Sequence, residues 1–372
     1  MKLKKLLTLS MMCSVALVGC ASSDASSTTS NNTTSSSSSD DSSSSSSSSA
    51  DTSSSTPSLV VYSNSATEGR GEWVAEKASE AGFDISIVSG GGAEITERLI
   101  IEKNSPIADV VWGPSAVECE KLKSENVLVE INPSWGADVD PAYSDPEGYY
   151  WAIALQPLGY AYDTSIISAD EIANITDITQ LASMYPGQYQ MHPLSGGTAK
   201  NTLASILVRY ADPNGEYGVS EEGWEVAKQY IQNGYMTTTG EAYWENVVNG
   251  QMPFVSMWGS GMLLNETEYN ADFEFIYAES GLPILVEQLA VVEGTDNYDT
   301  AQAFVEWFGS AEIQAQFSLA FGTTPAHPDA LAVAPDNVLD LMSKVTPQVV
   351  DWGLVAQYQD AWVEKVSLEF LY

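Results

Sequence analysis

From residue 57 onward the chain alternates short apolar runs with amphipathic stripes. The runs at 59–62, 85–88 and 108–112 have the length and β-branched content of buried strands. Residues 72–81 and 115–123 between them carry helical patterns, and Ile95 and Leu99, one turn apart, mark another helix. Strands alternating with helices predict an α/β fold with a mostly parallel sheet. Residues 149–162 form a long apolar and aromatic stretch interrupted by Pro157, Leu158 and Gly159. This reads as two consecutive strands, with a crossing between two lobes near 156–159. A second helix-rich unit follows. Leu203, Ile206, Leu207 and Tyr210 repeat at helical spacing, as do Trp224, Ala227 and Ile231 within 220–233. Residues 241–249 read as a short helix stopped by Gly250. Strands are expected at 252–258, ending in Gly259-Ser260-Gly261, and at 283–292. Three helical stripes close the chain: Ala301, Phe304, Val305 and Phe308; Ile313, Phe317 and Ala320; Val355, Tyr358 and Trp362.

Several expected strands end in small polar residues. Ser63 and Asn64 follow the first, Ser89 and Gly90 the second, Trp112 and Gly113 the third. Ser195, Gly196 and Gly197 precede the stripe that begins at Leu203, and Thr198 is placed to cap that helix. Ligands of open α/β sheets gather beyond the carboxyl ends of the strands. Helix starts beside glycines present unpaired N–H groups to acceptor oxygens. An ordinary glycine-rich loop has the same composition; recurrence at successive strand ends favours a shared seat.

The first fifty residues change the picture. Lys2, Lys4 and Lys5 precede an apolar segment at 6–18 and then Gly19-Cys20, the layout of a secretory signal, too short for a convincing membrane span. Residues 21–56 are mostly serine and cannot bury enough apolar surface to order, so a flexible tether is expected. Of the three cysteines, Cys13 would leave with the signal and Cys119 stands single in an expected helix. The body therefore has no disulfide and no cysteine-based metal site. A net charge of −36 argues against nucleic-acid binding, which needs a basic footprint. No nucleophile elbow, His-Glu-x-x-His or P-loop occurs, and His192 and His327 are the only histidines, both beside prolines. Catalysis is not expected, and both histidines read as structural.

Certain stretches match a known pattern in order and spacing: Leu59-Val-Val-Tyr-Ser63, Ala108-Asp-Val-Val-Trp112, Pro157-Leu-Gly-Tyr-Ala-Tyr-Asp163 and Ser195-Gly-Gly-Thr198. The Trp258-Gly259 strand end, Ala301-Gln-Ala-Phe-Val-Glu-Trp-Phe308, Ser310-Ala-Glu-Ile-Gln314 and Thr324-Pro325 complete it. Together they resemble the extracellular solute-binding proteins of bacterial ABC importers, in the branch of ferric-ion, polyamine and aminoethylphosphonate binders. Leu17-Val-Gly-Cys20 likewise resembles the lipobox, which implies a lipid on Cys20 and anchoring at the outer face of the cytoplasmic membrane.

The resemblance implies a type II two-lobe fold, each lobe a mixed, mostly parallel sheet flanked by helices. The implied division is a signal at 1–19, a lipidated tether at 20–56, lobe one at 57–156 plus about 255–296, and lobe two at 157–254 plus about 297–372. A small solute would sit between the lobes and be handed to ABC permease subunits in the membrane. The chain is expected to work as a monomer, without cofactor, metal or nucleic acid. Carried over residue by residue, lobe one would offer Ser63, Asn64, Ser89, Gly90 and Trp112, and lobe two Ser195, Gly196 and Thr198. Trp258 and Thr324 would complete the seat.

Ferric binders of this kind place a tandem tyrosine pair where this chain has Met257-Trp258-Gly259. An indole cannot replace a phenolate, so ferric ion is not expected, although Tyr62, Tyr149 and Tyr150 remain as phenols. Helix starts rich in Ser, Thr and Gly favour a phosphonate, phosphate or carboxylate, with Arg70 and Lys200 as charge partners. The alternative is an amine held by Trp112, Trp258 and Glu68 or Glu94. A surface sensor or adhesin on the same fold is the competing class.

Overall fold

The computed structural model describes residues 58–238 and 240–371. The expected signal, Cys20 and the serine tether lie outside the described residues. The strands join in the order Asp84–Ser89, Ser58–Ser63, Val110–Trp112, Ile284–Val292, Trp151–Asp163, Phe254–Trp258, Tyr189–Met191, Tyr235–Met236. The first three are parallel. Ile284–Val292 runs antiparallel to Val110–Trp112 and to Trp151–Asp163. Beyond the long strand, Phe254–Trp258, Tyr189–Met191 and Tyr235–Met236 are parallel to one another.

The stretch expected as two strands is one, Trp151–Asp163. Proline is tolerated in it because Pro157 stands where the strand changes partners. Up to Pro157 it pairs with Ile284–Val292, and from Leu158 it pairs with Phe254–Trp258. A missing N–H costs least at such a handover. Gly159 is required just beyond, since a Cβ there would stand 2.9 Å from the Phe275 ring.

Two sets of cores flank this strand. On one side Trp112, Phe304, Phe308 and Phe317 pack together with Leu59 and Val61. On the other, Leu203, Leu207, Trp224, Tyr230 and Trp362 pack with Tyr160 and Tyr189. The packing departs from the expected division in two places. Phe254–Trp258 pairs with Tyr189–Met191, so it belongs with the second half rather than the first. The helices Tyr298–Phe308 and Ala311–Phe321 bury Phe304, Phe308 and Phe317 against the first sheet rather than the second. Chain order misleads here because the long strand carries the chain from one half to the other and the segment just before Ile284–Val292 brings it back.

Gly259-Ser260-Gly261, expected as a strand end, opens a helix instead, Gly259–Tyr269. Gly261 lets the neighbouring Trp258 lie back over that start, since a Cβ at 261 would fall 2.8 Å from the indole. Cys119 is fully buried in the helix Ala116–Ser124, as its position in the pattern implied.

Candidate functional site

The loops that follow Ser63 and Trp112, Gln156 beside the handover and the middle of Ile284–Val292 surround a cavity of about 260 Å³. Asn64, Ser65 and Thr67 reach it from the first strand, Gly113 and Ser115 from the third. Gln156 and Glu287 line it from the two strands that join the halves. From the second half come Gly196, Gly197, Thr198, Lys200, Asn201 and Trp258. A larger hollow of about 540 Å³ shares Glu118, Lys200 and Gln359 with it and extends along the helix Trp352–Glu369.

Helix starts decide the chemistry of the walls. The helix Ala116–Ser124 is capped by its own residues: Ser115 Oγ accepts from Glu118 N–H, and Glu118 Oε2 accepts from Ser115 N–H at 2.8 Å. Ser260 N–H donates to Gln156 Oε1 at 3.1 Å, which occupies the start of Gly259–Tyr269. Two further starts have glycine as the capping residue, so no capping side chain closes them, although Glu94 Oε2 accepts from Gly91 N–H at 3.4 Å at the first. These are Gly92–Glu102, after Gly91, and Gly197–Leu207, after Gly196. Both line the cavity. Thr198 therefore sits inside the helix rather than capping it. The N–H groups at the start of Gly197–Leu207 are left for an acceptor oxygen, with Lys200 one turn along, whereas at Gly92–Glu102 the Gly91 N–H already donates to Glu94.

The floor is a buried polar network. Arg70 is 4% exposed and Glu287 7%. Arg70 Nη1 donates to Glu287 Oε1 at 3.3 Å and Nη2 to Ser260 Oγ at 2.6 Å. Gln156 Nε2 donates to the same Glu287 oxygen at 3.1 Å. The network joins a helix of the first half, both connecting strands and a helix of the second. Buried charge is tolerated here because the two ions pair, although Arg70 Nε and Glu287 Oε2 have no partner among the described residues.

Four residues expected at the seat are brought together at this cavity: Asn64, Gly196, Thr198 and Trp258. The other six are not. Ser63 is fully buried, its Oγ accepting from Ser65 N–H at 3.0 Å. Ser89 is exposed at the sheet edge, and Gly90 N–H donates to Ser63 O, so Gly91 and Gly92 reach the cavity in its place. Ser195 is exposed outside the lining. Thr324 is 2% exposed and pairs with Leu155 in the sheet. Trp112 is 0% exposed, with Phe308 and Phe317 edge-on at 5.2 and 5.9 Å. Its side chain takes the core face of its strand. Trp112→Phe is accordingly expected to cost about 1–3 kcal/mol in urea unfolding and to leave solute affinity within about twofold; a larger affinity loss would return it to the seat.

Gln156, Glu287, Glu118 and Gln359 were not anticipated. Gln156 and Glu287 had a legible signal, a polar residue interrupting an apolar strand, which burial makes costly unless it is used. Gln359 had none, since nothing local says which way its helix faces. His192 packs behind Trp258 and Tyr243, and burial pushes its imidazole below the usual range. His327 caps a short helix, Nδ1 accepting from Asp329 N–H at 3.2 Å. The three phenols weighed for iron are absent from the cavity lining. Tyr62 donates to Glu102, Tyr150 to Glu120, and Lys123 covers the Tyr149 ring.

Residues 72–340 match the family pattern described as bacterial extracellular solute-binding protein. A probable ABC transporter periplasmic-binding protein, y4fP of Sinorhizobium fredii, is 34% identical over 313 residues, 84% of this chain and 86% of the relative. Among solved structures, iron-bound HitA of Pseudomonas aeruginosa superposes with a TM-score of 0.71 at 17% identity. That match covers 84% of this chain and 99% of HitA. AfuA of Actinobacillus pleuropneumoniae, with fructose-6-phosphate bound, gives 0.68 at 19% identity, covering 84% and 98%. These structural likenesses establish the type II periplasmic-binding-protein fold. The chain therefore belongs to the bacterial extracellular solute-binding proteins, a family of substrate-binding components of ABC transporters rather than of enzymes.

Proposed function

We propose that this chain captures a small organic solute bearing a phosphonate, phosphate or carboxylate in the cavity above and delivers it to the permease of an ABC importer. The observation that carries the reading is the helix start at Gly197, which has no side-chain cap, facing the cavity across from Gly91 and Gly92 with Lys200 beside it. An anion at a helix start gains about 0.3–1 kcal/mol when exposed and up to about 2 when partly buried. The amine alternative loses support because Trp112 lies in the core and leaves Trp258 without an aromatic partner across the cavity. Ferric binding loses support because the phenols are engaged elsewhere. The strand pairing supports lobes at 58–157 plus 283–326 and at 158–282 plus 327–371, hinged at the handover in Trp151–Asp163.

Thermal-shift titration tests the reading. Phosphonates, sugar phosphates or small carboxylates should raise the melting temperature; a rise with polyamines or ferric salts alone would overturn it. The sequence before residue 57 supports a lipid on Cys20 and a serine tether holding the body at the outer face of the cytoplasmic membrane. Metabolic labelling with a fatty-acid analogue should mark the wild-type chain and not Cys20→Ala; label on the variant would reject the anchor.

A further inference from the structure

We propose that Lys121 and Asp360 form an ion-pair clasp that draws the two halves together along the larger hollow, beside the seat rather than in it. This rests on the division into halves given above, not on the solute.

Cations are scarce on this chain, and most are taken. Every lysine and arginine at 58–371 pairs with a carboxylate among the described residues except Lys121, Lys200 and Lys228. The chain has 50 carboxylates, so an unpaired lysine is the exception. Two of the three exceptions, Lys121 and Lys200, line the hollow of about 540 Å³. Glu125, one turn from Lys121, is held by Lys103 instead.

The carboxylates of the hollow divide in the same way. Glu118 caps its own helix and Glu120 accepts from Tyr150. Glu97 and Asp360 pair with no cation among the described residues. Each half therefore turns one unpaired cation and one unpaired carboxylate toward the hollow. The first half presents Lys121 and Glu97, and the second presents Lys200 and Asp360.

The backbone favours the pairing of Lys121 with Asp360. The helices Ala116–Ser124 and Trp352–Glu369 pack together across the halves, with Val117 seated against the core of the second half. Lys121 lies four residues after Val117, on the same helix face. Asp360 lies four residues after Ala356, and both line the hollow. Both charges are exposed, so pairing them carries little desolvation cost. Both halves are strongly acidic, and bringing them together crowds like charge; the clasp offsets that repulsion where the halves meet. Neither residue lines the seat, so the clasp tunes affinity only through the population of the closed form.

Distances between spin labels test this. The labels go on Ser79→Cys in Arg70–Glu80 and Gln232→Cys in Glu221–Asn233, exposed positions in opposite halves. The full chain also carries Cys13→Ala and Cys20→Ala, and the fully buried Cys119 stays unlabelled. At about 0.01 M salt, where charges act over about 30 Å, the labelled protein should show a near population. Lys121→Glu and Asp360→Lys should each reduce it about two- to fivefold, the range of an exposed ion pair. The swapped double variant should restore it. General repulsion between acidic halves predicts otherwise, since Asp360→Lys would then enlarge the near population. That enlargement, the absence of a near population, distances that no variant moves, or a swap that restores nothing would each overturn the clasp. Lys121→Gln and Asp360→Asn replace any variant that fails to fold; a smaller fall in the near population supports the clasp, and no fall overturns it.

Discussion

Thr198→Trp is expected to abolish solute-induced stabilisation while leaving the unliganded protein folded. Thr198 stands at the second position of Gly197–Leu207, half-buried, in the wall of the cavity. An indole there occupies much of a space of about 260 Å³ and covers the N–H groups of the helix start. At a hundredfold excess over Kd, a bound solute stabilises the native state by about 2.7 kcal/mol. That increment should vanish in the variant, and the melting temperature without solute should move little, because Thr198 belongs to no core cluster. Ser89→Trp is the matched control: Ser89 is exposed and outside the lining, so its thermal shift should equal that of the wild type. Full binding by Thr198→Trp would move the seat elsewhere.

Arg70→Met is expected to produce the largest loss of stability among single changes at the cavity floor. It removes the ion partner of Glu287, whose side chain is 10% exposed, and the donor to Ser260 Oγ. Stranding one member of a buried pair costs about 3–5 kcal/mol, whereas replacing both members with apolar groups is often neutral. The double variant Arg70→Met, Glu287→Leu should therefore recover most of what the single variant loses, a coupling of the kind contacting residues show. Urea midpoints at unchanged slope measure both. A loss below about 1 kcal/mol in Arg70→Met would show that the pair behaves like a surface ion pair and does not hold the halves in register.

The hydrophobic pattern alone determined the elements and the class of the fold. Periodicity placed strands at 59–62, 85–88 and 108–112, within two residues of Ser58–Ser63, Asp84–Ser89 and Val110–Trp112, and the helices between them, because burial of one face is written into local spacing. It also placed the polar ends of those strands, since a chain leaving a sheet must satisfy its backbone. Which ends meet was beyond it. Asn64 reaches the cavity and Ser63 does not, because alternate residues of a strand face opposite ways and only the packed sheet says which way is inward. Trp112 and Trp258 end two strands alike in sequence, yet Phe308 and Phe317, about two hundred residues later, cover one and leave the other open. The Arg70–Glu287 pair spans 217 positions, and no local rule joins them. Tertiary structure decided the site because its parts come from eight separate stretches of chain, brought together by a sheet in which chain order and spatial order differ.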